Sequence, residues 1–309
     1  MIVTVTMNPA IDKTVDVETF VHGGLNRVRR IIVDAGGKGI NVSKTIKALG
    51  GDSIATGFIG GNNGNAIESM LTSDKVNAEF VTVDTETRIN TKIVEIDGTV
   101  TELNEVGPEV FDEELKQLDK QLMQYAKEGT WFVLSGSVPS GVPTTIYGDI
   151  IRKVHEKGAK VFLDADGELF TQSLAAQPDV IKPNRVELEK YIGASHSLTE
   201  EELINVGNEL LEQGIGTVII SLGHEGALFL TKEKALKCPA IPVRACSTVG
   251  AGDALVAAFT YGLDKGEDFE TCVKLGIATS AGAVSTEGTK PPTRQIVDAL
   301  IPLVKVTQM

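Results

Sequence analysis

The stretch TVGAGDALVAAF, residues 248–259, places one carboxylate, Asp253, after a run of small residues and before an apolar segment of helical composition. Gly250, Ala251 and Gly252 can bring successive backbone N–H groups to the start of that helix, which makes a site for a phosphate without any basic side chain. A carboxylate beside a bound phosphate is a poor ligand but a suitable proton acceptor for an attacking hydroxyl. We therefore predict that Asp253 is a general base next to an anion-binding turn.

A purely structural interpretation of Asp253 is also open, because an Asp at or near the first position of a helix stabilises it by about 1 kcal/mol. The small residues before it favour the catalytic interpretation, since a simple cap needs no close access to the backbone. The two standard nucleotide fingerprints are absent. In GGKGIN a glycine follows Lys38 where a P-loop needs Ser or Thr, and neither GAGDAL nor GKGINV has the third glycine of a dinucleotide site.

A second glycine-rich turn, DAGGKGINVSK (34–44), also opens a helical segment. Gly36, Gly37 and Gly39 permit close approach of the backbone to a ligand, and Asn41 can donate and accept hydrogen bonds with hydroxyl groups. A glycine-rich loop with an ordinary helix start is the alternative.

Asn184 and Glu187 of VIKPNRVELE stand in an i, i+3 relation, so both are expected on one face of a helix that follows a strand. Oxygen ligands of this kind can hold Mg²⁺ through bound water, although a solvated helix face would show the same pattern.

Asp12 of NPAID is expected at the end of the first strand, where ligands of α/β folds commonly bind, and it can orient a polyol. An ordinary turn carboxylate is the alternative. Basic residues taken singly are usually surface charges. The candidates to grip a second phosphate are Arg88, Lys38 and Arg27.

The elements that must position these residues follow an alternating pattern. The runs that predict strands are residues 2–7, 53–60, 130–136, 160–165, 179–184 and 216–223. The patterns that predict amphipathic helices are residues 39–50, 64–73, 112–129 and 199–214. Several strand runs are continuously apolar, as expected of strands covered on both faces. The alternation predicts an α/β fold with a mainly parallel sheet flanked by helices on both faces.

Two segments break this rhythm and read as exposed, alternating strands: residues 26–34 and 88–104, the second with a hairpin signal at Asp97-Gly98. We predict that they form a small separate sheet that acts as a lid. An antiparallel edge on the main sheet is the alternative. No repeat or linker divides the chain, so the prediction is one domain over 1–309 with lid strands inserted at about 12–34 and 88–104.

The charge balance restricts the partners. The net charge of −13 leaves no basic field for a nucleic acid or an anionic membrane surface. The three cysteines are odd in number and lack the CxxC spacing of a zinc site, so we expect neither a set of disulfides nor a zinc site. No leader segment and no apolar run of membrane-spanning length are present. We expect a cytoplasmic protein that binds small molecules.

Seven motifs occur in order along the chain: NPAID, GGKGINVSK, TRIN, SGSVPSG, KPNRVELE, VIISLGHEGAL and TVGAGDALVAAF. Together they resemble the ribokinase-like, or PfkB, family of carbohydrate kinases from the first strand to the last helices, and TVGAGD combined with GGKGIN is highly specific. TMNPAID and TRIN resemble the hexose-phosphate branch, 1-phosphofructokinases and tagatose-6-phosphate kinases, more than ribokinase or adenosine kinase.

The resemblance implies a role for each matching position. The catalytic base is Asp253, and the anion hole for the γ-phosphate is Gly250, Ala251 and Gly252. The sugar site is lined by Asp12, Gly37, Lys38, Asn41 and Asn90, and the sugar's existing phosphate is held by Arg88, Ser137 and Arg27. The Mg²⁺ site is supported by Asn184 and Glu187. ATP lies along Lys182, Asn184, Ser221, Gly223, Gly226, Thr248 and Val249, with adenine against Ala278 and Gly282.

The resemblance also implies an activity, the ATP- and Mg²⁺-dependent phosphorylation of a phosphorylated ketohexose. TRINTKIVEIDGTVTELN looks more like 1-phosphofructokinases, which favours fructose 1-phosphate as the acceptor and fructose 1,6-bisphosphate as the product. Tagatose-6-phosphate kinase is the enzymatic alternative, and a sugar-phosphate sensor without catalysis is the non-enzymatic one. In the family the lid commonly forms part of a dimer interface, so a homodimer through the lid is expected.

Overall fold

The structure of the protein is a computed structural model that describes residues 1–309. Its strands are β1 (Ile2–Thr6), β2 (Ala10–Val17), β3 (Val28–Gly36), β4 (Ser53–Ile59), β5 (Asn77–Ala78), β6 (Val81–Thr82), β7 (Arg88–Val94), β8 (Val100–Asn104), β9 (Trp131–Ser135), β10 (Lys160–Asp164), β11 (Val180–Ile181), β12 (Thr217–Ser221), β13 (Ala227–Leu230), β14 (Ala235–Cys238) and β15 (Thr307–Gln308).

The helices are α1 (Lys38–Ala48), α2 (Gly61–Ser73), α3 (Asp112–Tyr125), α4 (Ile146–His155), α5 (Gly167–Leu174), α6 (Arg185–Ile192), α7 (Glu200–Glu212), α8 (Ala251–Lys265), α9 (Phe269–Val284) and α10 (Arg294–Leu300). Two short 3-10 turns are Gly223–Glu225 and Ile301–Leu303. None of the helices has the length and apolarity that crossing a bilayer requires.

The main sheet has eleven strands in the order β15-β14-β13-β12-β11-β10-β9-β1-β4-β5, with β6 paired to β4. The strands from β12 through β1 to β5 pair in parallel, and β13, β14 and β15 extend the other edge antiparallel. The predicted fold class is therefore confirmed. The antiparallel edge was not predicted, because a short hairpin strand and a buried parallel strand present the same apolar run.

Helices cover both faces of this sheet. Neighbouring residues of β9 illustrate the arrangement, because successive side chains of a strand point to opposite faces. Phe132 and Leu134 belong to one buried cluster, which includes residues of α3, α4 and α7, whereas Trp131 and Val133 belong to another, which includes residues of α8 and α9. The functional edge of the sheet is thus held between two packed helical layers.

The lid is a separate sheet in the order β3-β2-β7-β8, so the prediction of a separate lid sheet is confirmed and the edge-strand alternative is wrong. The hairpin between β7 and β8 turns at Asp97-Gly98, where Gly98 has φ 89°. One boundary needs correction. The first strand ends at Thr6, and Asp12 lies on β2 within the lid, paired with Asn90, instead of ending β1.

The lid is rooted on the body at one end. Ile11 and Ala35, at the start of β2 and the end of β3, pack in one buried cluster with Ile67 and Leu71 of α2. Toward the other end of β3, Arg30 forms a bidentate ion pair with Glu287, which lies in the loop after α9, with N···O distances of 3.0 and 3.3 Å. The base of the lid is therefore fixed by apolar packing, and its flank is held by an exposed ion pair.

Candidate active site

A cavity of about 390 Å³ lies between the lid and the edge of the main sheet at which the parallel strands end. Its wall contains one hydrophobic residue, Val249, among eighteen. The predicted site residues in the wall are Asp12, Gly37, Lys38, Asn41, Arg88, Asn90, Ser137, Val249, Gly250 and Asp253. Residues from both ends of the chain therefore meet here, in a chamber suited to a small polar ligand.

Several buried polar atoms of this wall have no hydrogen-bond partner in the protein. They are Thr6 Oγ1, Asn8 Oδ1, Asn41 Oδ1, Arg88 Nε, Asn90 Oδ1 and Ser135 Oγ. Leaving such an atom unsatisfied costs on the order of 1–3 kcal/mol, so a group of them in one wall calls for an explanation. A ligand rich in hydroxyl and phosphate oxygens would satisfy donors and acceptors of this kind.

Asp253 lies in the first turn of α8, which begins at Ala251 after Gly250, a residue with φ 81°. The helix has no side-chain cap, and the Asp253 carboxylate instead accepts a hydrogen bond of 2.8 Å from Asn41 Nδ2 on α1. This contact argues against the helix-cap interpretation. The carboxylate is held by an element more than two hundred residues away in sequence and faces the cavity.

The environment of Asp253 suits a proton acceptor. Burial, and then the negative charge of Asp164, raise the pKa of Asp253 to about 6, against the lowering effects of Asn41, Lys38 and Lys182. A general base is most effective when its pKa lies near the working pH, because it is then ionised and still binds a proton well.

The turn before Asp253 has the backbone freedom that was predicted for an anion hole. Gly250 occupies the left-handed region that favours glycine, and the N–H groups of the following turn have no side-chain cap. A Cβ atom added to Gly252 would lie 3.5 Å from Lys182 Nζ, so the ammonium group stands directly beside this turn. The turn therefore combines a helix N-terminus with a nearby positive charge, both of which attract phosphate.

A buried ion cluster adjoins Asp253. Asp164 Oδ1, at the end of β10, lies 3.2 Å from Lys38 Nζ and 3.2 Å from Lys182 Nζ. Although burial acts in the opposite direction, the charges of Lys182 and Lys38 hold the pKa of Asp164 below its usual range, and the Asp164 charge raises that of Lys38. Asp164 was not predicted, but a carboxylate at the end of a buried parallel strand was an available signal.

Arg88 lies at the base of β7 and is partly committed to the protein. Its NH1 donates to Glu105 O at 3.1 Å and its NH2 to Asn8 O at 3.0 Å, which leaves Nε without a partner. Burial lowers the pKa of Arg88. The Nε–H of the guanidinium group is therefore free to donate to a ligand at the lid end of the cavity.

Asp12 is the central carboxylate of the lid wall. Burial raises its pKa, while the charges of Lys92, Lys44 and Arg88 act in the opposite direction. A Cβ atom on Gly36 would lie only 2.4 Å from the Asp12 carboxyl group, so glycine is required across the β2–β3 pair. The predicted position of Asp12 in strand order was wrong, but the residue does line the cavity.

Asn184 and Glu187 form a capping box at the start of α6. Asn184 Oδ1 accepts from Glu187 N and Glu187 Oε2 accepts from Asn184 N, both at 2.9 Å. The pair therefore lies together at the start of the helix, where each side chain caps the backbone of the other residue. Glu187 Oε1 is left for another ligand, and burial raises the pKa of Glu187. No group of three or more His, Cys, Asp or Glu side chains forms a metal cage.

The remaining predicted residues lie outside the cavity wall. Ser221 ends β12 and bridges to Asn184, and Thr248 is exposed beside the anion turn. Gly226 has a φ of 102°, which favours glycine, and a Cβ atom there would collide with Cys238 O. Gly223, in contrast, is open to solvent.

Three further residues that were predicted to contact a ligand, Ala278, Gly282 and Arg27, present no surface to the cavity. Ala278 is fully buried in the core, and Gly282 packs against Pro292, so neither offers free surface to an adenine ring. Arg27 is exposed on the lid and is not part of the cavity wall of its own chain. The adenine contacts of this helix therefore need correction, because apolar small residues mark a packed helix pair as readily as a ligand surface.

Several wall residues were missed by the sequence argument. They are Thr6, Asn8, Lys92, Glu102, Asn104, Ser135, Gly136 and Asp166. For those on the lid strands, alternation predicts which residues share a face but not which face is turned to the cavity. For those after β1, β9 and β10, the position at the carboxyl end of a parallel strand was the signal available.

An anion turn, a buried carboxylate with a raised pKa and a polar chamber beneath a lid define a phosphotransferase of small hydroxylated molecules. The sequence profile of the pfkB family carbohydrate kinases matches residues 5–296. The chain belongs to this family.

Known proteins resemble the chain over its full length. It is 37% identical over 309 residues to the 1-phosphofructokinase of Bacillus subtilis, with 100% of both chains covered, and 36% identical over 287 residues to that of Escherichia coli K12, with 92% of this chain and 91% of the relative covered. The crystal structure of phosphofructokinase-2 from Escherichia coli with substrates and products aligns with a TM-score of 0.93 at 28% identity, over 98% of each chain. An Arabidopsis thaliana ribokinase aligns at 22% identity and TM-score 0.79, over 97% of this chain and 98% of the ribokinase, and shares the fold.

Proposed function

We propose that the protein is a 1-phosphofructokinase, which transfers the γ-phosphoryl group of ATP to fructose 1-phosphate and forms fructose 1,6-bisphosphate. The observation that carries this proposal is the position of Asp253, a buried carboxylate in the turn of an anion hole, facing the same cavity as Arg88. The full-length similarity to curated 1-phosphofructokinases supports the choice of acceptor.

In the proposed mechanism Asp253 takes the proton from the attacking sugar hydroxyl as the oxygen approaches the γ-phosphorus. The backbone N–H groups of Gly250 to Gly252 stabilise the charge that spreads over the transferring phosphoryl oxygens, and Lys182 beside Gly252 adds a positive charge. Asn41 holds the Asp253 carboxylate in place through its hydrogen bond. The lid excludes water, which would otherwise compete with the sugar hydroxyl.

The nucleotide is proposed to enter from the side of the anion turn. Its phosphates would pass Lys182 and Thr248, and its nucleoside would lie along the turn from Ser221 to Gly226 at the end of β12. Thr248 and Gly223 are exposed there, as this proposal requires. The correction for Ala278 and Gly282 moves the expected base contact away from the buried face of α9.

Mg²⁺ is proposed to accompany ATP. The donor set fits this ion, because Glu187 keeps one carboxylate oxygen free of the capping box and Mg²⁺ is commonly bound by one or two carboxylates, water and substrate phosphates. When bound, the ion neutralises phosphate charge. Asn184 and Glu187 would hold its water shell, while their capping box keeps both side chains in place.

An ADP-release assay with a panel of acceptors tests the proposed function: fructose 1-phosphate, tagatose 6-phosphate, fructose 6-phosphate, ribose and adenosine. We expect the highest kcat/KM with fructose 1-phosphate, because the curated relatives that match the full length of the chain are 1-phosphofructokinases. A maximum with tagatose 6-phosphate would replace the assigned acceptor. Phosphosugar binding without ADP release would establish the sensor alternative instead.

We further propose that the protein is a cytoplasmic homodimer joined through the lid. Its three cysteines are unpaired. Lid strands carry exposed apolar residues that a second copy would bury: Val28, Ile31, Val33, Val100 and Leu103. One relative, phosphofructokinase-2 from Escherichia coli, has a tetrameric inhibited form.

Light scattering after size-exclusion chromatography tests the lid interface. The parent protein should have twice the 32.8 kDa mass of one chain. Ile31→Asp should shift the equilibrium to monomer, because a carboxylate would then have to be buried between the two lids. Ile192→Asp is the matched control, since Ile192 is similarly exposed but lies on α6. A monomeric parent, or equal effects of both substitutions, would rule out this interface.

A further inference from the structure

Strand β7 turns alternate residues toward the cavity: Arg88, Asn90 and Lys92 all line it. Each of the three side chains retains a hydrogen-bond donor or acceptor that no protein group uses. Arg88 Nε and Asn90 Oδ1 are buried without a hydrogen-bond partner. Lys92 is half-buried, and its charge acts on Asp12, but no protein group hydrogen-bonds to its ammonium group or pairs with it within 4.0 Å. These three side chains therefore keep hydrogen-bonding capacity for a ligand beyond the contacts that Arg88 and Asn90 make with the protein.

The other cations of the wall are already engaged. Lys38 Nζ is 3.2 Å from Asp164 Oδ1, and two Arg88 nitrogens donate to backbone carbonyls. A phosphate monoester carries about −1.5 to −2 charges at neutral pH, and it would enter a lid wall that already contains Asp12 and Glu102. The single positive charge of Arg88 does not balance this charge. Lys92 adds a second positive charge in the same wall, where it already acts on Asp12.

We propose that Lys92 is a specificity-determining residue that grips the sugar's existing phosphate from the side opposite Arg88, so that the enzyme selects phosphorylated over unphosphorylated ketohexose. This inference rests on the proposed function and names a further residue of its acceptor site. It assigns Arg88 the inner half of the phosphate contact and Lys92 the outer half, with Asn90 between them.

The spacing of the two cations permits this grip. Four residues of a strand span about 13 Å between the Cα atoms of Arg88 and Lys92. Two nitrogens that donate to opposite oxygens of one phosphate stand about 8 Å apart, since each charge-assisted hydrogen bond is about 2.8 Å long. Each long side chain must therefore lean only a few ångström along the strand toward the other.

Glu102 is the cavity residue directly across the strand pair from Lys92. It is exposed, and its Oε2 accepts a long hydrogen bond of 3.5 Å from Asn104 Nδ2, so it does not occupy the Lys92 ammonium group. A carboxylate at this rim repels an arriving phosphate. We expect Glu102→Gln to leave KM for the phosphosugar unchanged or to lower it, the reverse of the Lys92 effect.

Steady-state kinetics of Lys92→Met on fructose 1-phosphate and on fructose test the inference. Loss of one charge-assisted contact should raise KM for fructose 1-phosphate roughly 10- to 100-fold, with kcat within about threefold. The kcat/KM for fructose and KM for ATP should stay near the parent values. Lys92→Arg should recover most of the loss, and Arg88→Ala provides the reference for a lost inner contact.

Lys13→Met is the matched control, because Lys13 is a half-buried lysine next to Asp12 on β2 that does not line the cavity. An unchanged KM for fructose 1-phosphate in Lys92→Met would overturn the inference. Equal losses on fructose and fructose 1-phosphate would also overturn it, since Lys92 would then act on the sugar ring or the lid. A parent enzyme that does not phosphorylate fructose 1-phosphate contradicts the proposed function itself, which separates the two failures.

Discussion

Asp253→Ala is expected to lower kcat about 10²- to 10⁴-fold, the usual worth of a positioned general base, while KM for ATP changes little. The reason is that in the proposed mechanism the carboxylate acts on the sugar hydroxyl, whereas the backbone of Gly250 to Gly252 holds the nucleotide phosphates. Coupled ADP release by protein purified from a host without its own 1-phosphofructokinase measures the effect. Retention of near-parent turnover would refute the role of Asp253.

The pH profile supplies a second readout of the same assignment. The base must be ionised, and the pKa of Asp253 is about 6, so kcat/KM of the parent should fall as pH decreases through about 6. Asp253→Asn keeps the size and shape of the side chain and can still accept the hydrogen bond from Asn41. Its residual kcat/KM should not fall as pH decreases through about 6. An identical limb in both proteins would assign the titration to another group.

Asp164→Ala is expected to destabilise the fold by about 3–5 kcal/mol, because it leaves the ammonium groups of Lys38 and Lys182 without their shared carboxylate. For a chain of this size the Tm should fall by roughly 5–8 °C. Thermal unfolding followed by circular dichroism measures this, and activity should be lost as well, since Lys182 lies beside Gly252 and Lys38 lines the cavity.

The cause of that destabilisation can be separated from the loss of a packed side chain. Combining Asp164→Ala with Lys38→Met and Lys182→Met removes all three charges, so most of the lost stability should return while the enzyme stays inactive. Asp119→Ala is the matched control, because Asp119 pairs with Lys153 at 2.6 Å on the exposed surface, where an ion pair contributes less than about 1 kcal/mol. Equal losses from Asp164→Ala and Asp119→Ala would contradict the buried-cluster explanation.

Much of the fold could be predicted because its central strands are buried on both faces. The apolar runs over 2–7, 53–60 and 130–136 became β1, β4 and β9, which are adjacent in the sheet. The same reasoning could not separate β1 from β2, because the strand that carries Asp12 follows after only three residues and its partly exposed pattern resembles a turn.

The site was predicted best where glycine spacing and a polar residue coincide. Asp253, Asn41 and Gly250 could be found in this way, because close access to the backbone needs glycine, whereas a simple helix cap does not. Asp164 was missed because an acid that ends a buried run looks like an ordinary strand boundary. Only the fold brings Lys38 and Lys182, 144 positions apart in number, to the same carboxylate oxygen.

Lys92 shows a different limit of sequence reasoning. Alternation along β7 places it on the same face as Arg88, but a lone lysine on an exposed strand is usually a solvated charge. Its significance depends on what its neighbours already bind. That information requires the hydrogen-bond partners of Arg88 and Lys38, which come from distant parts of the chain.

The lid joins the body at one end, so a swing of the sheet about that end would move its residues by different distances. Register pairs Ala10 with both Gly36 and Arg88, so β2, β3 and β7 all meet at the base, while the hairpin at Asp97-Gly98 is the free end. If the sheet swings as a rigid arm about that base, Arg88 sits near the fulcrum and hardly moves, whereas each 10° of swing carries the Lys92 backbone about 2 Å. Under such a swing the proposed phosphate contacts would form in two stages. Arg88 could contact the phosphate whether the lid is open or closed, and Lys92 could reach it only when the lid is closed.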